Sequence, residues 1–165
     1  MGVFCQTSVA AASLDDLPSL SCYACIMPTT QNAGYSGTPL AKKLSLKDGM
    51  TVWFEGMPDS VRAEIDTYGL AFEEHDTPFQ GLNAAHIFVK ERALLEQHLT
   101  ALRTLIDPAG QVWVSWPKKA SKVETDITED TIRSVCLPMG FVDIKVCAVD
   151  AIWSGLKLTI RKELR

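Results

Sequence analysis

Thr51-Val52-Trp53-Phe54-Glu55-Gly56-Met57-Pro58-Asp59-Ser60 reads as a buried strand, a sharp turn and a helix start. Nucleotide-binding α/β domains open in this way, with glycines in the turn so that backbone N–H groups approach a phosphate or nucleoside. Here the turn keeps only Gly56. Met57 adds bulk, and Pro58 has no N–H to donate. The stretch predicts the scaffold and, in the same ten residues, the loss of the ligand cradle.

On the amino-terminal side, Thr38 is a good helix cap and Pro39 a good first helical residue, which predicts a short helix from Pro39 to Leu44. Lys47-Asp48-Gly49 then turns into the first strand. Residues 1–33 show neither helical nor strand periodicity and read as a mostly disordered leader, with Met27 as the suspected biological start. Residues 34–165 read as one domain, without internal repeats.

On the carboxyl side, Asp59 or Ser60 is expected to cap a helix running to about Tyr68, stopped by Gly69. Short strands follow at Leu70–Glu74 and Ala84–Val89. The clearest helix is Glu91–Ile106: Leu94, Leu95, Leu99, Leu102, Leu105 and Ile106 share one arc, and Arg92, Glu96, Gln97, Thr100 and Arg103 oppose it. Asp107-Pro108-Ala109-Gly110 ends it, and Gln111–Trp116 is the fourth strand. A further helix starts at Thr128, with Glu129 and Asp130 in its first turn and Ile127 and Ile132 as a hydrophobic staple. Two strands finish the chain. Val142, Ile144, Val146 and Ala148 share a face of the first, and Leu156, Leu158 and Ile160 a face of the second. The loop Asp150–Gly155 is too short for a parallel crossover, so these two form an antiparallel hairpin. The whole predicts a Rossmann-like three-layer α/β/α sandwich, its sheet mostly parallel with a C-terminal antiparallel hairpin.

The chain has 165 residues, 47% hydrophobic and 22% charged, with a net charge of −4. That length suits one domain burying roughly 70% of its unfolded surface. The acidic balance argues against a nucleic-acid partner, which wants a basic face. No apolar run reaches the ~18–20 residues of a membrane span. A positive n-region is missing and Asp15-Asp16 interrupts the apolar stretch, so no signal peptide is read. Gln6 stands where myristoylation expects Ser or Thr. A cytoplasmic location follows by default. Five cysteines without scaffold spacing read as reduced thiols.

A glycine before the first strand, the Gly56 turn after it, acidic residues ending the second, Leu105-Ile106-Asp107-Pro108-Ala109-Gly110 before the fourth and a terminal hairpin resemble a reduced class I methyltransferase fold. More specific are Ala33-Gly-Tyr-Ser-Gly-Thr-Pro-Leu-Ala-Lys-Lys-Leu44, Val114-Ser-Trp-Pro-Lys-Lys-Ala-Ser121, Thr125-Asp-Ile-Thr-Glu-Asp130, Lys145-Val-Cys-Ala-Val-Asp150 and Trp153-Ser-Gly-Leu156. These segments resemble an uncharacterised bacterial family, domain of unknown function 3052, over about residues 33–162. The resemblance implies a small Rossmann-like domain and carries over no catalytic residue.

Candidate site residues fall in two groups. Gly56 and the acidic run Glu73, Glu74 and Asp76 stand where a nucleoside would meet a turn and a ribose-binding carboxylate; Glu74 lies 19 residues beyond Glu55. A plain strand-to-helix turn is the favoured reading of the first, and a solvated acidic loop explains the second at least as well. The second group is Trp116-Pro117-Lys118-Lys119-Ala120-Ser121, just past the carboxyl end of a central strand, where open α/β sheets place ligands. Lys118 and Lys119 are candidates to hold an anion and Ser121 to donate a hydroxyl, with Trp153, Tyr35 and Ser36 approaching the same rim. Against this, lysine pairs on loops are usually solvated. Cys22-Tyr23-Ala24-Cys25 has metal or redox spacing but no second ligand pair, so it reads as incidental. His98 reads as a packed structural histidine. His75 and His86 lack a nucleophile or paired carboxylate at useful spacing, and Gly34-Tyr35-Ser36-Gly37 matches a nucleophile elbow only superficially.

The expectation is a non-catalytic module, leaning away from an enzyme, without cofactor or metal. It would bind an anionic or nucleotide-like small molecule or a protein, neither nucleic acid nor membrane, as a monomer or homodimer, with the final strand a possible pairing edge. The alternative is an S-adenosylmethionine-dependent methyltransferase-like enzyme with a degenerate cofactor loop.

Overall fold

The computed structural model describes residues 37–165. The leader, Met27, Tyr35, Ser36 and the Cys22/Cys25 pair lie outside the described residues. The elements run α1 (Leu40–Lys43), β1 (Thr51–Glu55), α2 (Asp59–Asp66), β2 (Glu73–His75), β3 (Leu82–Phe88), α3 (Arg92–Leu105), β4 (Ile106–Pro117), α4 (Glu129–Cys136), β5 (Phe141–Ala148) and β6 (Trp153–Ile160). The six strands form one sheet in the order β2-β1-β3-β4-β6-β5. The β2-β1-β3-β4 portion is parallel, and β6 runs antiparallel to both β4 and β5. This is the mostly parallel α/β sheet with a terminal hairpin that the sequence predicts.

Each face of the sheet carries its own core. Val52 and Ala84 pack with Leu40, Leu44, Val61 and Ile65 of the α1/α2 layer. Trp53, Ala85, Ile87, Val112 and Val114 pack with Leu95, Leu99 and Leu102 of α3 and Ile132, Val135 and Cys136 of α4. Strand alternation sends neighbouring residues of β1 to opposite cores. The apolar arc of α3 is buried at Leu95, Leu99 and Leu102, whereas Leu94 remains exposed. His98, on the same helix, rests 5.8 Å from the Trp53 ring, as its packed position predicts.

Local capping follows the sequence at one helix and departs from it at two. The Thr128 hydroxyl accepts from the Thr131 N–H at 3.1 Å, and buried Ile127 and Ile132 complete the staple. Thr128→Ala should cost about 1 kcal/mol, read as a lower urea midpoint, and Thr128→Ser should restore it. At α1 and α2, Pro39 and Pro58 themselves hold the cap position, with no side-chain cap bond. Proline's fixed φ suits an extended cap, and the Pro58 carbonyl accepts from the Val61 and Arg62 N–H groups at 3.0 Å.

The sheet differs from expectation in several places. β4 begins at Ile106, straight out of α3, because Ile106 pairs with Leu82 before the ladder resumes at Ala84–Gln111. The break between them holds Asp107–Gly110, and a Cβ on Gly110 would lie 2.9 Å from the Asn83 and Asp107 carbonyls. Strand β6 is interior, and β5 is the edge. A register shift between Asp143 and Lys145 breaks the expected alternation of β5, leaving Ile144 and Val146 exposed. Among the described residues no helix is long and apolar enough to cross a membrane.

Candidate functional site

The two helices that leave the central strands decide where a ligand fits. After β1 the chain enters α2 on one face; after β3 it enters α3 on the other. The crevice between the carboxyl ends of β1 and β3 is therefore a topological switch point, the usual ligand position of an open α/β sheet.

Gly56 occupies that crevice with φ 64°, and a Cβ there would lie 3.1 Å from the Phe88 carbonyl. The glycine is thus required by the backbone of β3, and its missing side chain opens no cradle. The open space lies beside it. A cavity of about 320 Å³ is lined by Phe54, Met57, Asp59, Arg62 and Glu74, at the low end of the range for small-molecule sites. β1 supplies Phe54, the turn Met57, α2 Asp59 and Arg62, and β2 Glu74.

Arg62 organises this cavity. Its guanidinium donates to Glu74, lies 3.6 Å from Asp66, and stands 5.4 Å above the Phe54 ring, which in turn meets Phe72 edge-on. The Glu74 hydrogen bond is the main cause that raises the Arg62 pKa above the ordinary arginine value, against a smaller opposing effect of burial. Arg62 binds Glu74 through one carboxylate oxygen, Oε2. Among the described residues Asp59 enters no salt bridge. The cavity therefore offers two accepting carboxylates, a donating guanidinium and two apolar walls.

The other candidate residues lie elsewhere. Lys118 follows β4, three strand positions away from β2 and so about 14 Å in strand spacings from Glu74. Its ammonium donates to the Asp150 carbonyl at 2.5 Å and its N–H to the Ile152 carbonyl at 2.7 Å, tying β4 to the hairpin loop. The Ser121 hydroxyl donates to the Lys118 carbonyl at 2.6 Å, and Lys119 is exposed. Trp153 is buried edge-on against Phe88 at 5.1 Å. The structure joins Gly56 and Glu74 in one region and Lys118, Ser121 and Trp153 in another. Glu73 approaches His75 at 3.3 Å. Among the described residues no cluster of three or more His, Cys, Asp or Glu side chains is placed to hold a metal ion.

Sequence spacing missed two features. Asp59 and Arg62 enter the site from α2, where their i,i+3 relation was the available signal. His86 and Ser115 are both buried and 2.7 Å apart (Nε2 to Oγ), because β3 and β4 are adjacent and nearly in register. No motif announces a pair separated by 29 residues.

No family model and no curated protein matches this sequence. Solved structures do. A SAM-dependent methyltransferase from Aquifex aeolicus aligns with TM-score 0.51 at 16% identity, covering 74% of this chain and 88% of that one. The fold is methyltransferase-like. Ribosomal protein L11 methylase from Lactobacillus delbrueckii subsp. bulgaricus aligns at TM-score 0.48 and 13% identity, over 74% of this chain and 77% of that one. LepI in complex with SAM aligns at TM-score 0.45 and 11% identity, over 75% and 47%.

The likeness to the Aquifex aeolicus structure, a shared fold at 16% identity, goes against the expectation of a non-catalytic, cofactor-free module. The expectation rested on the glycine-poor turn. That ground is removed, because Gly56 is held by Phe88 while the cavity beside it is walled by side chains from β1, β2 and α2. Losing glycines from the turn does not fill that cavity.

Proposed function

We propose that this chain is an S-adenosylmethionine-dependent, methyltransferase-like enzyme whose adenosyl ligand is held by side chains more than by a glycine loop. The observation that carries the reading is the cavity at the carboxyl end of β1 and β2, with its two carboxylates and one guanidinium, in a fold of this class. Its lining chemistry suits the ligand. Glu74 and Asp59 would accept from the ribose hydroxyls or the ammonium group, Arg62 would donate to the amino-acid carboxylate, and Phe54 and Met57 would wall the adenine. The bound ligand supplies an activated methyl group. The chain's own part is to bind and orient: the Arg62–Glu74 pair is already formed, so little side-chain freedom is lost on binding.

Calorimetry with S-adenosylhomocysteine should show binding, and Glu74→Gln should weaken it roughly tenfold, the worth of one charge-assisted hydrogen bond. A folded protein that gives no heat at millimolar ligand removes the proposal. On the segments quoted above we also assign the chain to domain of unknown function 3052, as a single cytoplasmic domain over residues 34–165, monomeric or homodimeric, acting on a small molecule or a protein.

A further inference from the structure

The opposite, amino-terminal edge of the sheet carries a second cavity, of about 340 Å³, lined among others by Ser45, Lys47, Asn83, Asp107 and Lys157. We propose that it is an anion site for a phosphate-type group, free or as the end of a small phosphorylated molecule.

The argument starts from charge. Lys157 on β6 pairs with Lys145 on β5, and across β4 it faces Trp113, over whose ring the Lys145 ammonium stands at 5.5 Å. Lys47, in the loop before β1, reaches the same region and, with Lys145, adds to the burial that lowers the Lys157 pKa. Among the described residues none of the three lysines enters a salt bridge. The cavity's one lining carboxylate, Asp107, accepts from the Ala109 N–H at 2.7 Å. Asp48, beside Lys47, accepts from the Ala71 N–H at 2.8 Å. Like charges gathered without counter-ions oppose folding, and an anion relieves them.

The neutral groups are donors too. The Asn83 carbonyl oxygen accepts from the Thr51 N–H and hydroxyl at 3.0 and 3.1 Å, which leaves its amide NH₂ to the cavity. Ser45 offers a hydroxyl and holds φ 58°, a left-handed conformation that costs a non-glycine residue energy. Its carbonyl and that of Leu44 are tied to the Gln111 amide at 3.3 and 2.9 Å, which fixes the loop against β4. Two ammoniums, an amide and a hydroxyl thus line one cavity from three segments, the loop before β1, β3 and β6, far from the switch point.

The test is NMR of the full chain during titration with inorganic phosphate, glucose 6-phosphate and, as a control of equal ionic strength, sodium chloride. The Asn83 side-chain amide should shift saturably with the phosphates and not with chloride. Lys157→Met should weaken the response roughly tenfold, and Lys47→Ala, on an exposed loop, should also weaken it. Tighter binding of glucose 6-phosphate identifies an ester as the ligand, and tighter binding of inorganic phosphate the free ion. Equal shifts with chloride, or an unchanged response in both variants, overturns the assignment.

Discussion

Between pH 6.5 and pH 5 the protein should lose about 2 kcal/mol of stability to one side chain, His86. Its imidazole is fully enclosed, and burial pushes its pKa down to about 3. Phe88 stacks at 4.4 Å, with Phe54 and Trp113 beyond. Nε2 shares a hydrogen bond with Ser115, and among the described residues Nδ1 has no partner. Protonation would put a second N–H on the ring with nothing to receive it, so the folded state holds His86 neutral. The unfolded chain binds that proton below about pH 6.5. Stability is complete above that value and falls as pH drops toward 3, where the full loss reaches about 5 kcal/mol. Against a total of roughly 5–15 kcal/mol, this alone brings the domain near acid unfolding. Urea unfolding at pH 7.5, 6 and 5 should show the slope in the native protein and a flatter one in His86→Phe. Parallel slopes would falsify the account.

Trp113→Ala should cost about 3–5 kcal/mol, the range for emptying a buried aromatic site. Trp113 lies on central β4 with 1% exposure. Its ring packs close to Gly155: a Cβ on that glycine would lie 3.3 Å from Cε3 and 3.0 Å from Val149 Cγ2. Its indole N–H donates to the Leu44 carbonyl at 2.8 Å, pinning the end of α1 to the sheet. Trp113→Phe should cost less, about 1 kcal/mol beyond the volume change, because Gln111 still donates to the same carbonyl. Urea midpoints at constant m-value measure both variants. A loss under 1 kcal/mol for the alanine variant would show that the site collapses or was never tightly packed.

Much of the fold was legible because its signals are local. The arc of α3, the Thr128 cap with its staple, and the short loop that forces β5 and β6 into a hairpin are each set within a few residues. The β5 face was misread because outermost position and register shift depend on the strand's neighbours. The site was half legible. Gly56 and Glu74 stand out by spacing, but their meaning changes in three dimensions: Phe88 claims the glycine and Arg62 claims the carboxylate. Lys118 stands out as a charge on a loop, yet its ammonium serves the Asp150 carbonyl.

Periodicity and turn chemistry by themselves determined the sandwich, its parallel start and its antiparallel end, since each hydrophobic stripe must be buried against another element. Only the tertiary structure decided which side chains share a cavity. Strand order brings His86 to Ser115, α2 brings Arg62 to Glu74, and the hairpin brings Lys145 over Trp113 beside Lys157. These are contacts across the sheet or between layers, and a chain read in one dimension has no term for distance in the other two.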